Sequence, residues 1–136
     1  MTPVNDPHSI ETPAGLRITF DDHKKTITIH TPANNQIVLS DDAKSITIHD
    51  QSGNKVQMTA GGITLDSASD VTIKAGGNIS ISAVGNISTQ AAGDLTMGGV
   101  NVSCAAQSAF TATGNITATL SASGETIVKG AIVAIN

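Results

Sequence analysis

Residues 61–97 read GGITLDSASDVTIKAGGNISISAVGNISTQAAGDLTM and carry a repeat of eight residues. In each repeat a pair of small or polar residues, such as Gly77-Asn78, precedes an apolar residue, a hydroxyl residue and usually a second apolar residue. This alternation is typical of a short strand with one buried face, and the pair before it favours a corner. The predicted inward residues are Ile63, Leu65, Val71, Ile73, Ile79, Ile81, Ile87, Leu95 and Met97.

The repeat does not by itself give the number of chains. Each predicted strand offers only two inward side chains, so a chain coiling alone would need about three such strands to complete one rung. A single-chain solenoid is one solution. Three chains that share each rung would bury the same apolar columns more economically.

Residues 14–60 have a longer period. The predicted strands begin at Ile18, Ile27, Ile37, Ile46 and Val56, so their spacing alternates between nine and ten positions. DDHKKTITIH at 21–30 recurs as DDAKSITIH at 41–49, and polar turns separate the strands. We interpret residues 14–60 as a wider, more charged section of a rod, with an antiparallel meander as the alternative. Residues 1–13 are predicted to be a leader or linker, and 61–136 the octad section.

Composition argues against catalysis and against nucleic acid as a partner. The formal net charge of the 136 residues is −4, which gives no electrostatic attraction to phosphates. The chain has no Trp or Tyr, and two Phe residues, Phe20 and Phe110, cannot line a substrate pocket or a sugar-binding platform. Ile, Val, Thr and Ser favour strands around a thin core. We therefore expect a structural protein and not an enzyme.

Few side chains could carry chemistry. His30 and His49 end matching strands, but alternation places them on the face opposite the apolar residues, which disfavours a shared metal site. Asp21-Asp22 and Asp41-Asp42 could be paired carboxylates of a glycoside hydrolase, yet each pair lies in a turn beside lysine, where solvated turn residues are the better explanation. Cys104 is single, so no disulfide can form within the chain. We predict no catalytic residue, metal or cofactor.

Three stretches carry a resemblance to a known family. They are ETPAG at 11–15, the Gly-Asn-Ile octads at 77–79 and 85–87, and the closing segment KGAIVAIN at 129–136. In these stretches the sequence resembles the C-terminal spikes of VgrG proteins of type VI secretion, and the related central spikes of contractile phage tails and extracellular injection systems. The resemblance covers roughly residues 10–136, and the closing segment is its most specific part.

This resemblance implies an all-β homotrimer, an intertwined triple-stranded β-helix shaped as a three-sided prism. The implied function is mechanical: sheath contraction drives the spike through the target envelope. Hub and tube components are implied at the N-terminal end. A PAAR-repeat tip protein is implied at the C-terminal end, on Ile132, Val133, Ala134, Ile135 and Asn136.

The resemblance also implies synthesis in the bacterial cytoplasm and ejection into a target cell or the extracellular space. Some phage spikes of this family end in a His-x-His metal site at their own point, and this sequence has no such motif. A separate tip protein is therefore expected. Two competing hypotheses are a trimeric fibre or adhesin stalk that binds surface glycans, and a polysaccharide lyase or hydrolase.

Overall fold

The computed structural model describes residues 7–135, and within them the chain is all-β, with no helix. Seven strands form one antiparallel sheet in chain order, so that each strand pairs with its sequence neighbours. The strands are β1 (His8–Glu11), β2 (Arg17–Asp21), β3 (Thr26–His30), β4 (Gln36–Ser40), β5 (Ser45–His49), β6 (Lys55–Thr59) and β7 (Gly62–Asp66). The all-β prediction is confirmed, and residues 8–66 take the antiparallel meander.

The sheet extends past both of the section boundaries drawn from the sequence. The predicted strand starts all lie within β2 to β6, but β1 falls inside the section assigned to a leader, and β7 falls at the start of the octad section. β7 joins the sheet because the two-residue turn Ala60-Gly61 folds it back on β6, pairing Thr59 with Gly62. The octad pattern identifies β7 as a strand but does not specify its partner.

The connections of the sheet repeat at a regular interval of nineteen positions. Gly15, Asn34 and Gly53 occupy equivalent places in three five-residue loops, with φ values of 80°, 67° and 93°. Lys25 and Lys44 end two four-residue turns at the opposite ends of the strands, with φ values of 47° and 46°. Glycine and asparagine adopt the left-handed region at little cost, whereas lysine is uncommon there. Two strands and two connections thus form one structural unit, called here the two-strand unit.

The two faces of the sheet differ sharply in chemistry. Strand alternation and the register place thirteen large apolar side chains on one face, called here the apolar face. They are Ile10, Ile18, Phe20, Ile27, Ile29, Ile37, Leu39, Ile46, Ile48, Val56, Met58, Ile63 and Leu65. The other face, called the polar face, carries mainly hydroxyl, amide, imidazole and charged side chains. No second layer covers the apolar face within the described residues, because none of their side chains is buried.

The described residues after β7 contain no strand or helix. Every residue from Ala68 to Ile135 is exposed, including the apolar residues of the octads. Packing divides the chain into two units, residues 1–80, which include the sheet, and residues 81–136. Within the second unit the described residues have no regular element. The described part of the chain also holds no helix long and apolar enough to cross a lipid bilayer.

Candidate assembly face

The apolar face is organised as two continuous columns of side chains. In the first column Ile18 lies opposite Ile29, and Ile29 opposite Ile37. The column continues through Ile48, Val56 and Leu65. Directly opposed side chains on neighbouring antiparallel strands lie about 4.5–5.5 Å apart at Cβ, close enough to pack. The second column contains Phe20, Ile27, Leu39, Ile46, Met58 and Ile63.

The apolar face is more open to solvent than the polar face of the same strands. In β3, Ile27 and Ile29 are exposed, whereas Thr26, Thr28 and His30 on the polar face are half-buried. The same inversion recurs in β5. A half-covered antiparallel sheet normally turns its apolar side chains inward, and a soluble monomer rarely exposes an apolar patch larger than a few hundred Å². The apolar face is therefore a candidate interface.

A groove of about 630 Å³ runs along one side of the apolar face. Ile29, Ile37, Ile48, Val56 and Leu65 of the first column contribute to its lining. Val71 and Thr72, which follow β7, also line it. The chain after the last strand therefore passes along the groove and leaves most of the apolar face uncovered.

Asn54 fixes the direction in which the chain leaves the sheet. Its Oδ1 accepts hydrogen bonds from the backbone N–H of Ala68 at 3.1 Å and the hydroxyl of Ser67 at 3.0 Å. Its Nδ2 donates to Asp50 Oδ2 at 2.7 Å. Asn35, one two-strand unit earlier, accepts from the backbone N–H of Gln51 at 3.1 Å. Asparagine side chains thus tie successive connections together along one edge of the sheet.

Asp50 is a preorganised carboxylate at that same edge. Hydrogen bonds from the side chain and backbone of Asn54, and from the backbone of Ser52 and Gly53, lower the pKa of Asp50 below its usual 3.8 against a smaller opposing effect of burial. Oδ1 accepts the backbone N–H groups of Ser52 at 2.8 Å and Asn54 at 2.9 Å. The carboxylate is therefore ionised at neutral pH and held in one orientation.

The polar face carries a row of polar and charged side chains. The column nearest the loops contains Glu11, Arg17, His30, Gln36, His49, Lys55 and Asp66 in sheet order. Arg17 Nε donates to Glu11 Oε2 at 3.0 Å, and His49 Nε2 lies 3.0 Å from Gln36 Oε1. His30 and His49 lie on the polar face, away from the isoleucines of the apolar face, as the alternation predicted. In residues 7–135 there is no cluster of three or more His, Cys, Asp or Glu that could hold a metal ion.

Two of the nine predicted core residues lie in the sheet, and the other seven follow it. Ile63 opposes Met58 and Leu65 opposes Val56, so both belong to the apolar face. Val71 lines the groove beside Leu65. The remaining six lie outside strands, and every one is more than half exposed: Ile73, Ile79, Ile81, Ile87, Leu95 and Met97.

The predicted tip-binding residues lie at the end of the second unit. Ile132, Val133, Ala134 and Ile135 are exposed, with Ile135 at 91%. Asn136 lies outside the described residues. Three large apolar side chains within four residues, all accessible, leave a terminal segment that could contact a partner.

The core prediction from the octads did not include β2 to β6, which supply most of the apolar face. Their signal was present, because Ile27 and Ile29 alternate with threonine as the octad residues alternate with serine or threonine. The bracing role of Asn54 was also missed. The recurrence of asparagine at the equivalent positions Asn35 and Asn54 was the available signal, but the bond to Ala68 depends on the sheet bringing the two loops together.

No protein-family model matches this sequence, and no curated protein is significantly similar to it.

Proposed function

We propose that the protein is a structural, cell-puncturing spike of a contractile injection machine, assembled as a homotrimer. The observation that carries the proposal is the chain's unpartnered apolar surface. The apolar face is uncovered in the sheet, and apolar residues at octad spacing continue from it, all exposed. A single chain with no buried side chain among its described residues lacks the apolar burial that stabilises a globular domain.

Three copies around one axis would provide partners both for the apolar face of the sheet and for the chain beyond Asp66. Up to Asp66 each chain pairs its own strands and would supply one side of a three-sided prism, with the apolar face inward. Beyond Asp66 the chain has strand-like sequence without strands of its own. Backbone N–H and C=O groups need partners when the side chains around them are buried. In the proposed triple-stranded β-helix, those partners come from the other two copies.

Such a rod suits compression along its axis. The inward columns of Ile, Val and Leu would form a continuous dry core, and Thr and Ser would cover most of the outside. Every strand beyond the sheet would be paired to strands of other chains, so local unfolding would have to break contacts in several chains together. The resulting resistance is kinetic as well as thermodynamic. The spike would cross the envelope by force and needs no catalytic group.

The two ends have different proposed partners. Hub and tube components would hold the N-terminal end, and a PAAR-repeat tip protein would sit on the apolar closing segment, where Ile132 and Ile135 are exposed. Capping would protect an apolar strand end that otherwise favours aggregation. The spike would be made in the bacterial cytoplasm and ejected with the tube.

The molar mass in solution is the first test of this proposal. Sedimentation equilibrium at micromolar concentration should give three times the chain mass of 13.7 kDa for the protein alone, and a larger mass when a candidate PAAR protein binds. A stable monomer throughout the micromolar range would refute the spike.

A delivery assay tests the mechanical role. In a contractile particle that carries this spike, Ile81→Asp should abolish delivery into target cells, because three charges would meet at the apolar axis. Ser80→Asp, on the opposite side of the same predicted strand, is the matched control and should retain delivery. Normal delivery by Ile81→Asp particles would contradict the proposal, and retention of the free trimer on target-cell glycans would favour a binding stalk.

A further inference from the structure

The two long edges of the sheet carry different connections. Because the meander alternates direction, the loops at 12–16, 31–35 and 50–54 share one edge, called here the loop edge. The turns at 22–25 and 41–44 share the other, called the lysine edge. Each strand therefore runs from one edge to the other. The residue before the strand lies at one edge and the residue after it lies at the other, and the position of the strand in the sheet is called here its level.

β5 differs from the other strands in its flanking charges. Lys44 precedes it on the lysine edge, and Asp50 follows it on the loop edge. The residues that flank the other six strands do not form an oppositely charged pair: Pro7 and Thr12, Leu16 and Asp22, Lys25 and Thr31, Asn35 and Asp41, Asn54 and Ala60, and Gly61 and Ser67. β2 also has opposite charges at its ends, Arg17 and Asp21, but these form ion pairs with Glu11 at 3.0 Å and Lys24 at 3.9 Å in the same chain.

Within residues 7–135, neither of these two charges has an oppositely charged partner. Lys24 and Lys25 on the lysine edge form ion pairs with Asp21 at 3.9 Å and Asp42 at 4.0 Å. Lys44 and Asp50 form no ion pair with the described residues. They cannot reach each other, since a five-residue strand spans roughly 16 Å.

In the proposed trimer, rotational symmetry would bring the loop edge of one copy against the lysine edge of the next. If the three-fold axis is perpendicular to the strands, equivalent strands of the three copies lie at the same height along that axis. The start of β5 in one copy then meets the end of β5 in the next, at each corner. Such a contact is heterologous, because two different surfaces meet, and it closes into a ring after three copies.

We propose that Lys44 of one copy forms an ion pair with Asp50 of the next copy, three times around the assembly. The inference rests on the proposed trimer and deepens it, because it names a polar contact between copies. The fixed carboxylate of Asp50 suits this role, since Asn54 and the backbone of Ser52 already orient it. The pair favours a register in which equivalent strands lie at one level. Sliding one copy by two strands would set Asp50 against Gly61 in one direction, or in the other against Lys25, which already forms an ion pair with Asp42.

Cross-linking of the unmodified protein tests the contact directly. A carbodiimide joins a lysine and a carboxylate that touch, and the joined peptides are identified by mass spectrometry. In trimers assembled from mixed ¹⁴N and ¹⁵N chains, part of the peptide joining Lys44 to Asp50 should contain one label of each kind, which a link within one chain cannot give.

A disulfide variant tests the same geometry and counts the chains. In a Cys104→Ser background, Lys44→Cys with Asp50→Cys should oxidise to a covalent ladder that ends at three chains. Lys25→Cys with Asp50→Cys is the matched control and should not cross-link, because two strand spacings, about 9.5 Å, separate those levels.

The effect on stability should be moderate and sensitive to salt. Lys44→Gln is expected to lower the three-chain association constant by about 3- to 150-fold, summed over three exposed pairs, and the difference should nearly vanish in 1 M salt. A trimeric mass without the Lys44–Asp50 cross-link would overturn this inference and leave the spike intact. A monomeric mass would overturn both, and a ladder that ends at two chains would refute the three-fold ring.

Discussion

The contribution of the apolar face to assembly can be measured at Ile48, near the middle of the sheet. Ile48 lies between Ile37 and Val56 in its column and is 42% exposed in the single chain. Complete burial of an isoleucine side chain stabilises by about 1.5–3 kcal/mol. With 42% still to be covered, Ile48→Ala should cost about 0.6–1.3 kcal/mol per chain. The cost over three chains is then about 2–4 kcal/mol.

That cost corresponds to a fall of about 30- to 1,000-fold in the three-chain association constant. Sedimentation equilibrium can measure it in a fixed, mild urea concentration at which part of the wild type has dissociated. Thr47→Ala is the matched control, because Thr47 belongs to the same strand but lies on the polar face, between Val38 and Gln57. It should leave the association constant nearly unchanged.

The two variants should differ clearly if the apolar face is the interface between chains. Equal losses for Thr47→Ala and Ile48→Ala would mean that side chains of both faces are buried to the same degree between chains. An unchanged trimer in the Ile48→Ala variant would mean that the apolar face lies outside the interface.

Three further predictions concern the octads, the exit from the sheet and the response to acid. Ile79→Asp should leave only monomers at micromolar concentration by sedimentation, because carboxylates would meet in an apolar axis, whereas Ser80→Asp should remain trimeric. Asn54→Ala should lower the free energy of unfolding by about 1–2 kcal/mol in urea titrations, since three hydrogen bonds are lost, and Asn78→Ala at an exposed corner should not. The pKa of Asp50 is lowered in the folded chain, so its charge stabilises the fold above the ordinary carboxyl pKa of about 3.9 and that contribution disappears as the pH falls through the lowered pKa. Urea midpoints measured between pH 2 and 6 should therefore depend less on pH for Asp50→Asn than for the wild type, and equal slopes would contradict the effect.

Alternation in the sequence was sufficient to predict β2 to β6 and the faces of their side chains. Ile27 and Ile29 with threonine between them fix one face of β3, and the equivalent residues fix β5. This signal is strong because a one-residue shift in a strand exchanges its two faces. The all-β class and the separation of His30 from the apolar residues both follow from it.

Pairing between strands could not be predicted in the same way, because it depends on the connections. The turn at Ala60-Gly61 returns β7 to the sheet, although its sequence belongs to the octads. β1 contains one large apolar residue, Ile10, and gives too short a pattern to predict a strand. The hydrogen bond from Ala68 to Asn54 joins residues that only the folded sheet brings together.

The regular period of the connections has a consequence for the length of the molecule. Gly15, Asn34 and Gly53 mark three equivalent loops, and Lys25 and Lys44 mark the equivalent turns between them. Copying one two-strand unit would add about 9.5 Å along the stacking direction, with every apolar side chain still on its own face. An inserted segment that adds a single residue to one strand would reverse its faces. Gene duplication can therefore lengthen this sheet without disturbing its faces when it copies whole two-strand units.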